Sequence, residues 1–186
     1  MNSVLSSSIS AAKAVIHKNP LFLDTETTGL DTQSEIIEIS ITDDMGDIVF
    51  SSFVKPKDRI GFESFMIHGI DDEMVKDAPT WDQIYPRIRE VLKDRLVVIY
   101  NAKYDIRLMR QSHGKYKMIW RDEFQAFDLM KLYAEYNGLW DTGFKSYKFV
   151  SLKDAGSQCG IVLENTHRAT DDCLLSWAVL HHIAGI

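Results

Sequence analysis

The stretch Leu21-Phe22-Leu23-Asp24-Thr25-Glu26-Thr27-Thr28-Gly29-Leu30 decides how this chain reads. An apolar run leads into two acids one residue apart, then two threonines and a glycine. Leu21 to Leu23 have the character of the end of a buried strand. Side chains at i and i+2 of a strand share a face, so Asp24 and Glu26 are expected side by side. Carboxylates that close repel, and one takes up a proton unless a cation lies between them. Hard divalent ions want oxygen ligands. The stretch therefore reads as half of a magnesium or manganese site at a strand end, or as an ordinary strand-to-loop junction with two solvated acids.

Around it, 186 residues suit one domain with a sizeable core. A net charge of −6 argues against a broad basic surface for long duplexes. It leaves room for nucleic acid at a local site where bound cations cancel the acid. The two cysteines, Cys159 and Cys173, form no CxxC, and a reducing compartment is the default. No apolar run has membrane-spanning length and the N-terminus has no signal-peptide pattern. The expectation is an intracellular, cytoplasmic protein without a membrane partner.

In chain order, Met1 to Ser10 is Ser-rich and expected to be weakly structured, with a short helix over Ala11 to Lys18. Ser34 to Thr42 alternates Ile37, Ile39 and Ile41 with Glu38, Ser40 and Thr42, the pattern of a half-buried strand. After a turn at Asp43 to Asp47, Ile48 to Val54 returns, completing an antiparallel meander. Gly61 to Asp77 reads as loop and short helix. Thr80 to Lys93 reads as a helix that Pro86 delays or kinks. Leu96 to Tyr100 is a strand covered on both faces. Asn101 to Gln111 is a helix ended by Gly114. Lys117 to Trp120 and Glu123 to Phe127 form one short strand with a loop. Asp128 to Tyr136 is helical, and Asn137 to Tyr147 is a loop bearing glycine and aromatics. A helix follows from Ser151 to Cys159, and the last helix runs from Ala169 to Ile183, introduced by His167. Meander, then alternating helix and strand, gives an α/β fold with a mixed sheet flanked by helices.

Two further acids stand out. Asp105 follows a buried strand and shares a helix face with Leu108 and Met109, a costly place for a carboxylate unless it is paired with a base such as Lys103 or Arg107, or with a metal. Asp172 lies in the last helix, with His167 five residues before it. On a continuous helix that spacing sets the two about 140° apart, so both reach one site only if His167 sits in the preceding loop. A loop histidine beside a metal-binding acid is placed to take a proton from water.

In this order and context the residues resemble the DEDDh family of 3′–5′ exonucleases, the DnaQ-like group of the bacterial DNA polymerase III proofreading subunit. Asp24 to Leu30 is similar to the family's first motif, Tyr100-Asn101-Ala102-Lys103-Tyr104-Asp105 to its second, and His167-Arg168-Ala169-Thr170-Asp171-Asp172 to its third. The segment Glu63 to Ile70 and the helix opening Ser151-Leu152-Lys153-Asp154-Ala155 also resemble family segments. One departure is Tyr100, where the family usually has histidine.

The resemblance implies a ribonuclease H-like fold, an N-terminal extension over residues 1–19 and an exonuclease domain over residues 20–186. It implies a phosphodiester hydrolase that shortens single-stranded DNA from the 3′ end and releases nucleoside 5′-monophosphates. The alternatives are an exoribonuclease acting on RNA 3′ ends and a polymerase-associated binding subunit. Two divalent ions, Mg²⁺ or Mn²⁺, are implied as cofactors. Asp24, Glu26 and Asp172 would hold one, Asp24 and Asp105 the second, and His167 would be the general base. Thr27, Gly29, Leu30, Glu63 and His68 would meet the terminal nucleotide. A polymerase or replication partner would join by non-covalent contact, with residues 1–19 and the loop 137–147 as docking pieces.

A phosphatase using Asp24 as covalent nucleophile is the reading from another class. It gives His167 no role. Lys103, Arg107, Arg110, Lys115 and Lys117 would touch phosphates or form a solvated helix face. Trp140, Phe144 and Tyr147 would stack on bases or pack on one another.

Overall fold

The computed structural model describes residues 3–121, 123–163 and 167–186. Its centre is β1 (Leu21–Thr27). β1 pairs antiparallel with β2 (Ile36–Thr42), which pairs antiparallel with β3 (Ile48–Phe53). On its other side β1 runs parallel to β4 (Leu96–Ile99), and β4 parallel to β5 (Gln125–Asp128). The five-stranded order is β3-β2-β1-β4-β5, the expected meander joined to parallel strands.

Strand alternation divides the core between the two faces of the sheet. Leu21, Leu23, Ile39, Ile41, Val97 and Ile99 face α4 (Trp81–Leu92) and α5 (Ala102–Lys115), with Trp81, Ile88, Leu108 and Met109 in the same cluster. Phe22 and Val98 face the other way, joining residues of α6 (Leu129–Asn137), α7 (Leu152–Gln158) and α8 (Ala169–Ala184). The short helices α2 (Phe62–His68) and α3 (Asp72–Val75) cross between β3 and α4.

Several elements differ from expectation for identifiable reasons. β2 is buried at all seven positions instead of half-buried. Its polar face, Glu38, Ser40 and Thr42, lies under α8, where Ser40 Oγ and Thr170 Oγ1 are 2.8 Å apart. At the N-terminus, α1 spans Ser3–Ile16, so Ser3 to Ser10 are helical; Met1 and Asn2 lie outside the described residues. Ala12 and Val15 belong to the α8-side cluster, and that burial holds a Ser-rich segment with little intrinsic preference for helix. α5 continues through Gly114 to Lys115, since one interior glycine costs only about 1 kcal/mol. α4 starts at Trp81 and accommodates Pro86 without a later start. Lys117 to Trp120 form no strand, and the strand is confined to Gln125–Asp128 by its register with Leu96–Ile99. The expected loop 137–147 contains a hairpin, β6 (Trp140–Asp141) and β7 (Ser146–Tyr147).

Candidate active site

β1 pairs with β4 only through Leu21 and Phe22, so its following residues reach past the parallel strand. Asp24 and Glu26 continue the Phe22 face, toward α8. Asp172 sits in the first turn of α8. Asp24, Glu26 and Asp172 each bring an oxygen to within 4.8 Å of the others. Thr25, on the opposite face of the strand, donates its hydroxyl to Asp105 Oδ1 at 2.8 Å. Neither Lys103 nor Arg107 is needed to hold that carboxylate. Asp105 is only 3% exposed and stands in the first turn of α5, whose N-terminal amides favour negative charge. Asn101, which links β4 to α5, adopts a left-handed conformation (φ 67°) that asparagine tolerates better than most residues.

Electrostatics tie the four acids together. Burial lifts the Asp24 carboxyl well above its ordinary range, and the charges of Asp105, Asp172 and Glu26 push it further. Glu26 is pushed to about 9, first by burial and then by Asp172 and Glu38, with Arg168 opposing. Asp105 rises to about 7 through burial, against the Thr25 hydrogen bond. Asp172 also rises to about 7, through burial and then Asp171 and Glu38. Such a set holds its charge only with cations among the oxygens. An all-oxygen donor set suits hard divalent ions such as Mg²⁺ or Mn²⁺.

Sequence reading missed the groups that anchor α8. Glu38 lies directly across from Glu26 in the β1–β2 register, 5% exposed, a placement of like charges that costs stability. Arg168 answers it with a forked contact. Its Nη2 reaches Glu38 Oε1 at 2.6 Å, and its Nε reaches Oε1 and Oε2 at 3.2 and 3.0 Å. The Ala169 amide, in the first turn of α8, donates to Oε2 at 3.1 Å. Cys173 Sγ adds a contact to the Ser40 carbonyl at 3.3 Å. The available signal was an arginine beside His167 and a glutamate on the polar side of an alternating strand.

His167 precedes this clasp in the loop, as its spacing from Asp172 requires, and holds a left-handed backbone (φ 52°). It lines an open cavity of about 500 Å³ with Glu26, Thr25 and Thr27. Leu30, Ser64, Ile67, His68, Asn101, Tyr104 and Ser151 complete the wall. That volume suits a small ligand or one nucleotide.

The expected nucleotide contacts are placed unequally. Leu30 is 74% exposed at the rim. Thr27 is buried, its hydroxyl donating to the Gly29 carbonyl and lying 2.9 Å from Tyr104 Oη. Gly29 lies so close to Ser34 that a Cβ would sit 2.9 Å from its Oγ. His68 accepts the Ile70 amide at Nδ1, which leaves the proton on Nε2, 3.2 Å from the Thr27 carbonyl. Burial lowers its pKa, so it is neutral and braces the end of β1. Glu63 stands exposed in the first turn of α2 and is not among the residues lining this cavity.

Of the basic residues, Arg107 binds the carbonyls of Leu30 and Asp31, and Lys115 pairs with Asp58. Tyr100 is buried, and its hydroxyl donates to the Val150 carbonyl at 3.1 Å, tying β4 to the segment before α7.

A mixed sheet with carboxylates from β1 and α8 converging at its centre, and the buried Asp105 of α5 electrostatically linked to them, defines a DnaQ-like nuclease of ribonuclease H-like fold. The chain belongs to the family described as Exonuclease (RNase T), whose model matches residues 21–180. It is 40% identical over 181 residues to an uncharacterized exonuclease of Escherichia phage 186, covering 93% of this chain and 92% of that one. It is 34% identical over 98 residues to the DNA polymerase III subunit epsilon of Rickettsia typhi, a match covering 50% of this chain and 43% of the relative. Among solved structures, Exonuclease X in complex with 5′ overhanging duplex DNA superposes with a TM-score of 0.67 at 25% identity, over 89% of this chain and 90% of the other. Among the described residues, no helix is long and apolar enough to cross a membrane.

Proposed function

We propose that the protein is a metal-dependent 3′–5′ exonuclease that removes nucleoside 5′-monophosphates from single-stranded DNA ends. The observation that carries this reading is the convergence of Asp24, Glu26 and Asp172 beside a cavity that also holds His167. Asp24, Glu26 and Asp172 would hold one divalent ion, and Asp24 with Asp105 a second. Bound Mg²⁺ or Mn²⁺ supplies Lewis-acid stabilisation of the charge that develops on the phosphoryl oxygens.

The chain's own groups do the rest. His167 takes the proton of the attacking water on a ring nitrogen. The Glu38–Arg168 clasp holds the loop that carries it. Leu30 packs beside the terminal base, and backbone groups of Thr27 to Leu30 form its bed, which His68 braces through the Thr27 carbonyl. DNA as substrate is supported by the likeness to a DNA-bound exonuclease and to a polymerase III subunit. The latter likeness also supports a replication partner.

The test is digestion of matched 3′-labelled and 5′-labelled single-stranded DNA and RNA with Mg²⁺, Mn²⁺ or EDTA. A metal-dependent ladder shortening from the 3′ end, faster on DNA, is expected. Faster RNA cleavage makes the protein an exoribonuclease. Asp24→Ala is expected to abolish cleavage while the fold persists, since it removes one of several repelling carboxylates. Retained activity in that variant would sink the assignment.

A further inference from the structure

The β6–β7 hairpin presents aromatic surface that the core does not use. Phe144, at its tip, is 85% exposed, and Trp140 and Phe149 are 53% and 54% exposed. Trp140 packs edge-on against Tyr147 with centroids 5.2 Å apart, which leaves the rest of its indole outward. Of the three aromatics, Trp140 and Tyr147 pack together and Phe144 stands exposed. An open cavity of about 600 Å³ lies here, lined by Phe144, Tyr147, Lys148 and Phe149 with Asp141 and Ser146. Its one acid is committed to the turn, where Asp141 Oδ1 accepts the amides of Gly143 and Phe144 at 2.8 and 3.1 Å. Lys145 and Lys148 are exposed beside the aromatics, a local positive site on a chain of net charge −6.

This surface adjoins the candidate active site along the chain. Phe149 is two residues from Ser151, which lines the cavity that holds Glu26 and His167. Two residues of chain span at most about 7 Å. The Tyr100 hydroxyl binds the Val150 carbonyl between them, so the connection is fixed to the sheet. Exposed aromatics interleaved with lysines are the surface on which successive bases stack while phosphates meet positive charge.

We propose that the hairpin is a stacking platform for the single-stranded segment upstream of the scissile bond, with Phe144 and Phe149 taking bases and Lys145 and Lys148 meeting phosphates. This rests on the exonuclease reading and names how that site grips a strand longer than the nucleotides in the cleft. Stacking tolerates any base, so the platform lends length dependence and not sequence preference.

The test compares wild type with Phe144→Ala on a sixteen-nucleotide oligo-dT and on a thymidine dinucleotide. For the variant, KM on the long strand is expected to rise about five- to fiftyfold, with kcat and all dinucleotide kinetics unchanged. Equal KM on the long strand, or an equal loss on both substrates, overturns the platform. Anisotropy of the labelled sixteen-mer in EDTA separates the two levels of the argument. If wild type cleaves neither substrate, the exonuclease reading falls, and weaker binding by Phe144→Ala still supports the platform. Binding equal to wild type overturns it, as it would if the hairpin docks another protein. Lys145→Ala with Lys148→Ala should lower the salt dependence of that binding by about 1–2 in log–log slope. An unchanged slope removes the lysines from the proposal.

Discussion

Without divalent cations, the stability of this protein should fall as pH rises, against the usual behaviour of carboxylates. Glu26 illustrates the sign. Its carboxyl ionises near 4.5 in the unfolded chain and near 9 in the fold. Through that window the folded state binds more protons than the unfolded one, and linkage then makes stability decline with increasing pH. The full contribution is retained below the lower value and lost progressively above it. At about 1.4 kcal/mol per pH unit, raising the pH from about 5 to about 7 removes ~3 kcal/mol through Glu26 alone. Asp105 and Asp172, both raised to about 7, act with the same sign below that pH. For a chain of this size ~3 kcal/mol lowers Tm by roughly 6–12 °C. Cations among the oxygens replace the protons, so Mg²⁺ should restore most of the loss, and restore more at the higher pH. Thermal unfolding in EDTA and in Mg²⁺ at both pH values reads this directly. A Tm in EDTA that is flat or rises with pH, or a Mg²⁺ increment that is the same at both, would refute the reasoning.

Arg168→Ala strips Glu38 of its partner beneath α8; breaking a buried pair costs about 3–5 kcal/mol, and partial exposure of the arginine side chain lowers the expectation to about 2–3 kcal/mol. Its kcat should fall with KM little changed, and Arg168→Lys should recover stability only in part, because an ammonium cannot reproduce the forked contact; an unchanged Tm in the alanine variant removes Glu38–Arg168 from the account. Tyr100→Phe should cost about 1 kcal/mol through the lost Val150 hydrogen bond and leave kcat near wild type. A large loss of kcat there would give the hydroxyl a role in the chemistry.

Much of the centre of the fold was legible because its signals are local. Leu21 to Leu23 followed by acids at i and i+2 defines both the strand and the shared face, and the spacing of His167 from Asp172 already required a loop. β2 was misjudged because alternation reports side-chain chemistry, whereas burial of Glu38 and Ser40 depends on Arg168 and Thr170, 130 residues away. Ser3 to Ser10 became helical through contacts that Ala12 and Val15 make with distant helices, which no local propensity records. The β6–β7 hairpin has strands of two residues each, too short for a period to emerge. His68 illustrates a different limit: its position beside the cavity was readable, but its brace to the Thr27 carbonyl depends on where α2 folds back.

The dispersal of the acids along the chain has a consequence for synthesis. Asp24 and Asp105 belong to the first part to be made, while Asp172 and Arg168 belong to α8. About 67 residues separate Asp105 from Asp172. At about 5–20 residues per second, a ribosome takes roughly 3–13 s to cross that interval. During that time the nascent sheet lacks both its last carboxylate and the guanidinium that lets Glu38 be buried. Assembled in this order, the acid cluster stays incomplete until α8 has left the exit tunnel.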